Sequence, residues 1–251
     1  MKAFEQMLGG HFQSLHSMLG LPVSEKDGIK ILNSGLGTSM FNIVYGCFNT
    51  QTNVWDLEIQ NVIAEFKGQP FAWWVPNSNA NSELIARLKK AEFVVETDEV
   101  AMKCDLCCTP QYVPKTDLLI QPIPDVSTLQ DFISIIEPYD SKARSFFGKI
   151  PVNLLAKSNE TLFVGSINNK PVVIGSVFES EEVSGIFNVI THEESRGKGC
   201  GSDLIGFLLE FIKKSGKKYA MLSASSDSSY RIYERLGFKP FSKLECLEYK
   251  G

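Results

Sequence analysis

Apolar residues recur along this chain at two periods, and each change of period marks the end of an element. Phe4, Met7, Leu8, Phe12, Leu15 and Leu19 fall at helical spacing, which predicts an amphipathic helix over residues 1–20 packed on the first half. Phe41 to Phe48 is rich in β-branched and aromatic residues and predicts a strand. A helix is expected over 57–66, ended by Lys67-Gly68, then a buried strand over 70–75 whose Trp73 and Trp74 are both assigned to the core. After a loop over 76–81, Ser82 can cap a helix through Leu84, Ile85 and Leu88 to Ala91. Residues 93–95 and 100–106 alternate apolar and polar positions as the two arms of a hairpin would.

The stretch Thr109-Pro-Gln-Tyr-Val-Pro-Lys-Thr116 has two prolines and no periodicity, so it reads as a linker. Beyond it, residues 118–122 predict a strand. Asp125 or Ser127 can cap a helix through Leu129, Phe132, Ile133 and Ile136. Residues 138–156 are expected to form a helical or looped lid. A hairpin over Asn168-Asn169-Lys170 should join strands 162–167 and 171–178. Strands are expected again at 186–191, 219–224 and 245–249, with helices between them. Such alternation of strands and helices describes an α/β chain. An internal echo accompanies it: Arg87 to Phe93 leading into 102–106 parallels Arg231 to Phe238 leading into 244–248, with Phe93 and Phe238 145 residues apart. In that register Leu88 falls where Tyr233 stands.

The chemistry concentrates in Glu194-Ser-Arg-Gly-Lys-Gly-Cys-Gly-Ser202, between the strand 186–191 and a helix marked by Leu204, Ile205, Leu208, Leu209 and Ile212. Glycines in a strand-to-helix turn leave backbone N–H groups bare to converge on an anion at the positive end of the helix. Arg196 and Lys198 flank the same turn. A P-loop would need four residues between its first Gly and Gly-Lys-[Ser/Thr], which this stretch lacks. A dinucleotide fold would place Gly-x-Gly-x-x-Gly after its first strand; here Arg196-x-x-Gly199-x-Gly201 lies late in the chain.

That order resembles the acyl-CoA pyrophosphate loop of the GNAT superfamily of N-acetyltransferases. Tyr230-Arg-Ile-Tyr-Glu-Arg-Leu-Gly-Phe238 downstream resembles the closing signature of the same family. The resemblance covers residues 117–251 and is strongest over 184–238. It implies an α/β (α+β) acyl-CoA N-acyltransferase fold with a mixed central sheet flanked by helices, and an acetyl transfer from acetyl-CoA, as donor cofactor, to a small-molecule or peptide amine. Attack would be direct, within a ternary complex. With the internal echo, it suggests two tandem copies: residues 1–110 a degenerate GNAT-like domain, 111–117 a linker and 118–251 the catalytic domain. The alternative is a non-catalytic acyl-CoA-binding regulatory or protein-interaction module.

The resemblance also assigns tasks. Gly197, Gly199, Cys200, Gly201 and Ser202 would offer backbone N–H groups to the pyrophosphate, with Arg196 and Lys198 adding charge. The Cys200 thiol would be packing. Val189, Ile190 and Thr191 would pair with the pantetheine arm. Tyr233 would protonate the leaving thiolate, with Tyr230 as a rival one turn away. Ser226 stands where many relatives carry an asparagine that bonds the arm. The general base stays open: Met221 replaces a glutamate of some relatives, while Glu193, Glu194 and His192 are candidates beside a water-relayed deprotonation, which is preferred. Acceptor-side walls are expected from 138–160, and Glu181 and Glu182 hint at a cationic amine.

Composition narrows this little. A net charge of −4, evenly spread, argues against a nucleic-acid partner. Residues 1–20 lack the continuous apolar core of a secretory signal, and no run approaches a membrane span. Six scattered cysteines then suggest reduced thiols in a cytoplasm. Cys104-x-x-Cys107 with Cys108 lacks the paired ligands of a structural zinc site, and no metal is expected. Oligomeric state is left open.

Overall fold

A computed structural model describes residues 2–49, 51–76, 81–109, 111–181 and 183–251. Eleven strands among them form one sheet: β1 (Val23–Lys26), β2 (Ile29–Leu32), β3 (Ile43–Gly46), β4 (Phe71–Pro76), β5 (Val94–Asp105), β6 (Leu119–Pro122), β7 (Glu160–Ile167), β8 (Lys170–Glu179), β9 (Val183–Thr191), β10 (Tyr219–Ala224) and β11 (Lys239–Tyr249). Their spatial order is β1-β2-β3-β4-β11-β5-β10-β9-β8-β7-β6. Flanking it are α1 (Lys2–Met18), α2 (Trp55–Glu65), α3 (Ser82–Lys90), α4 (Val126–Ile136), α5 (Ala143–Phe147), α6 (Val152–Leu155), α7 (Cys200–Lys214) and α8 (Asp227–Arg235). The expected mixed sheet flanked by helices is present. None of the described helices is long and apolar enough to cross a membrane.

The centre of the sheet differs from the sequence expectation. Residues 93–106 form no hairpin: β5 is a single 12-residue strand, antiparallel to β11 on one side and β10 on the other. Polar Glu96, Thr97, Asp98 and Glu99 have turn-like composition, but pairing of Thr97–Glu99 with β11 holds the run extended, and β10 pairs with the strand from Val100 on. Likewise β11 begins at Lys239, six residues before the expected Glu245. It lies between β4 and β5. Each half therefore lends a strand to the other. Leu244 pairs with Glu99, and these two positions correspond under the 145-residue echo. A pseudo-twofold axis thus passes between them.

Alternation along β7 and β8 sorts the core into two layers. Phe163, Val173 and Val177 pack under α7 with Leu204, Ile205 and Leu208. Leu162, Val164 and Ile174 face the other way, against Phe132, Ile133 and Phe147 of α4 and α5. The 138–156 segment is consequently anchored rather than a free lid, because Phe146 and Phe147 are buried. Helix α1 was expected on the first half, but it bridges both. Phe4, Met7 and Leu8 share a core with Phe178, Val183 and Met221, while Leu15 joins the layer of α4. Gly9 and Gly10 permit the approach; a Cβ on either would lie within 2.6 Å of the Tyr45 or Phe178 ring. At the smaller scale, Asp125 is the cap of α4, accepting from the Thr128 N–H. The α3 cap position falls on Asn81, not Ser82, and most of the preceding 76–81 loop lies outside the described residues.

Candidate functional site

The glycine turn forms as its residue types require. After β9, a short 3-10 turn at Glu193–Ser195 leads to Gly197 (φ 73°) and Gly199 (φ 95°), both in the left-handed region. Side chains disfavour that region, so glycine is the residue of choice. Gly199 is the N-cap of α7 and has no side chain with which to occupy the first-turn N–H groups. These N–H groups lack partners inside the helix by geometry. A Cβ at Gly199 would meet Thr116 at 3.3 Å, and one at Gly201 would meet Thr191 at 3.3 Å. Arg196 and Lys198 are exposed beside the turn. Arg196 donates to the Thr191 carbonyl at 3.3 Å and to the Tyr139 hydroxyl.

The presumed linker is fastened to this helix. Asp203, 2% exposed in the first turn of α7, accepts from the Thr116 N–H (2.8 Å) and hydroxyl (2.6 Å), the Lys115 N–H (3.1 Å) and the Tyr112 hydroxyl. Burial opposes its ionisation, yet these bonds hold the carboxyl below the usual aspartate range. Tyr112 lies flat over Gly206, where a Cβ would stand 2.2 Å from its ring. Asp203 escaped the sequence reading, although an acid in the first turn of a helix was a visible cue.

Strands β9 and β10 supply the opening. They run parallel but pair only over Val183–Gly185 with Tyr219–Met221. Beyond that, residues 186–191 and 222–224 diverge. A bulge sits where they part: Ile174 pairs with Ile190 and Ser176 with Phe187, so two residues of β9 oppose one of β8. Asn188 takes φ 54° there and donates to the Ser176 hydroxyl at 3.1 Å. The bulge turns Val189 and Ile190 into a cleft of about 530 Å³, walled across by Leu222, Ser223 and Ser225. Val189, Ile190 and Tyr233 thus meet in one cleft, and Thr191 leads directly into the glycine turn.

Tyr233 is 7% exposed. Burial, then the charge of Glu99, pushes its phenol up to about 12, so it holds its proton at neutral pH. Tyr230 packs at the edge of the core beneath α7 instead. Ser226 caps α8, its hydroxyl accepting from the Ser229 N–H at 3.2 Å in a capping box; neighbouring Ser225 lines the cleft. Cys200 is buried and burial raises its thiol, which suits packing. Cys104 is buried against Thr109, while Cys107 and Cys108 are exposed. Among the described residues no group of three or more His, Cys, Asp or Glu is placed to hold a metal.

Other candidates lie apart from the cleft. Glu193 and Glu194 are exposed on the 3-10 turn, and His192 accepts from the Glu194 N–H at 3.3 Å. Glu181 is exposed on the β8–β9 turn, and Glu182 lies outside the described residues. Trp74 departs from its core assignment. Alternation along β4 buries Trp73 completely and turns Trp74 toward the cleft. The sequence reading also missed Glu99 and His11. Glu99 lines the cleft from β5, and His11 from α1, where its Nδ1 lies 2.9 Å from Glu160 and its ring stacks on Phe187.

A divergent parallel strand pair, a bulged strand and a glycine-opened helix start together frame one cleft in an α/β fold. Residues 158–240 match the family model of the acetyltransferase (GNAT) domain. Over 95 residues the chain is 30% identical to an uncharacterised N-acetyltransferase of Methanocaldococcus jannaschii, covering 34% of this chain and 42% of that protein. The chain spans under half the length of the curated relatives it matches. Its fold is that of a GCN5-related N-acetyltransferase from Kribbella flavida, with TM-score 0.72 at 13% identity, covering 98% and 95% of the two chains. A tandem GNAT protein from the clavulanic acid biosynthesis pathway superposes with TM-score 0.58 at 11% identity, covering 88% and 82%. The match to the GNAT domain thus rests on residues 158–240, and the solved structures show that the fold extends over nearly the whole chain.

Proposed function

We propose that residues 118–251 transfer an acetyl group from acetyl-CoA to an amine by direct attack while both substrates are bound. The observation that carries this reading is the parting of β9 from β10 between the glycine turn and Tyr233. Residues 1–110 are a decayed copy whose remaining task is to complete the sheet and wall the acceptor side.

The residues present fit such a donor. First-turn N–H groups of α7 and the cations of Arg196 and Lys198 suit a pyrophosphate. The unpaired β9 edge at Val189, Ile190 and Thr191 suits an amide-bearing arm, which would add to it much as a strand does. Acetyl-CoA supplies an activated acetyl group as a thioester. Tyr233 holds a proton for the departing sulfur, a task that suits a phenol kept protonated well above neutral pH. A backbone N–H released from the ladder at the bulge of β9 would stabilise charge developing on a carbonyl oxygen.

Calorimetric titration with acetyl-CoA and CoA tests the reading, followed by CoA release with primary amines. Binding of both that Gly199→Asp removes, with release of CoA in the presence of an amine, is the expected result. Absence of binding would overturn the donor assignment. Binding without CoA release across the amines would reduce the protein to an acyl-CoA-binding module.

A further inference from the structure

The cleft has an acceptor side, and its lining states a chemistry. Glu99 stands in its depth, Glu96 and Asp140 nearer its rim, and among the described residues no Lys or Arg lines it. Phe12, Trp74 and Phe187 form apolar wall between these carboxylates, all three partly exposed. Phe12 and Trp74 pack against one another with ring centroids 5.8 Å apart. Such a lining attracts an ammonium group, stacks on an apolar or aromatic body, and repels a carboxylate or phosphate.

Glu99 is placed unlike an ordinary surface acid. Only 9% exposed, it lies on the pseudo-twofold axis of the sheet, opposite Leu244. It accepts from the Ser223 hydroxyl and, at 3.4 Å, from Thr97. Its charge reaches Tyr233 and Cys246. Burial, partly offset by the Ser223 and Thr97 bonds, holds its carboxyl above the usual glutamate range, the direction that strengthens a carboxylate as a base. Among the described residues no cation partners it. A buried carboxylate without a counter-ion costs stability unless something else needs it.

We infer that Glu99, lent by the N-terminal half, is the catalytic base that receives the acceptor's ammonium, and that the acceptor is a primary amine on an apolar or aromatic body without an acidic group. This rests on the acetyltransferase reading above. Glu99 takes one proton from the ammonium and returns it to solvent through the cleft. The freed nitrogen lone pair forms the C–N bond as the C–S bond breaks. The nitrogen's second proton then replaces the one Tyr233 gives to the departing thiolate. The balance is one ammonium and one thioester converted to one amide, one thiol and one solvent proton.

Phenethylamine is the probe, with phenylalanine as its carboxylate-bearing twin and ethanolamine as a twin without the ring. Each is assayed for CoA release by the full chain, wild type and Glu99→Gln, across pH 5–9, with acetyl-CoA affinity measured in parallel. Phenethylamine should exceed both twins in kcat/KM, by about 10-fold or more. Glu99→Gln should lower kcat/KM for it by about 100-fold and leave acetyl-CoA affinity unchanged. The wild-type profile should rise with pH through a limb absent from the variant; the other titratable groups lining the cleft with Glu99 are Glu96, Tyr233, Cys246, His11, Tyr139 and Asp140. Acetyl-CoA binding without turnover of phenethylamine, or a preference for phenylalanine, would overturn the acceptor class. Unchanged turnover in Glu99→Gln, or a retained limb, would overturn the base. Failure of acetyl-CoA to bind the wild type would instead bring down the acetyltransferase reading itself. Glu96→Gln, at the rim, should raise KM with little change in kcat.

Discussion

The two halves share a plan but differ where a phosphate would dock. After β9 the chain makes Gly197 and Gly199 turns and enters α7 with Arg196 and Lys198 alongside. After β3 it passes through residues 47–54 without a glycine, makes a 3-10 turn at Thr52–Val54, and enters α2 with Asp56 and Glu58 in the first turn. Those carboxylates repel the anion that the other helix start attracts. Strands β3 and β4 also stay paired, Ile43 with Ala72 through Tyr45 with Trp74, where β9 and β10 part. The N-terminal half has a roomier cleft, about 690 Å³, but Glu5 and Glu25 line it with Lys30, which pairs with Glu25. Volume alone makes no donor site. Selection on the first half, on this view, kept the pairing strands and let the anion cradle go.

Gly199→Asp attacks the feature that most divides the halves. It forces a side chain into φ 95°, against Thr116, and sets a carboxylate at the helix start. Several kcal/mol of like-charge repulsion corresponds to a loss of about 1000-fold or more in acetyl-CoA affinity. Titration with CoA checks it; retained affinity would make the turn merely structural. In Leu88→Ala the equivalent of Tyr233 is truncated in the other half. Leu88 is fully buried, so the variant should lose about 2–5 kcal/mol of stability while the folded fraction binds and turns over normally. Urea unfolding beside a rate assay separates the two effects. Tyr233→Phe should do the reverse, with turnover down about 100-fold and the unfolding midpoint barely moved.

What could be read from the sequence was local. The glycine turn, the Tyr233 helix and the hairpin over Asn168-Asn169 each rest on residues adjacent in the chain. Left-handed φ at Gly197, Gly199, Asn168 and Asn169 follows from residue type alone. What escaped depends on partners far away in sequence. The polar run from Glu96 to Glu99 carries turn-like composition, and it is β11, more than 100 residues on, that holds it extended. For that reason Glu99 was invisible as a cleft residue, and the search for a base stayed within the second half. His11 was hidden likewise, since Glu160 meets it across 149 residues.

Glu99 permits the finest test of the division of labour, because its proposed task in the second half should tax the stability of the whole. Its folded pKa is raised by burial, with Ser223 and Thr97 opposing, so the folded state holds the proton more tightly than the unfolded chain. Between the unfolded value near 4.5 and the raised folded value the native state binds more protons. Stability attributable to this group therefore falls as pH rises through that window. Glu99→Gln keeps a side chain of the same shape that can bond Ser223 and Thr97, and it cannot ionise. The variant should match wild type near pH 4 and become the more stable of the two by pH 8, in thermal unfolding at both values. Tyr233 and Cys246, whose acidities burial suppresses, stay neutral across this range and leave the comparison to Glu99, with Glu96, His11 and Asp140 common to both proteins. A variant less stable at pH 8 would mean that the carboxylate holds the two halves together, and the N-terminal half would then be lending structure at this position rather than chemistry.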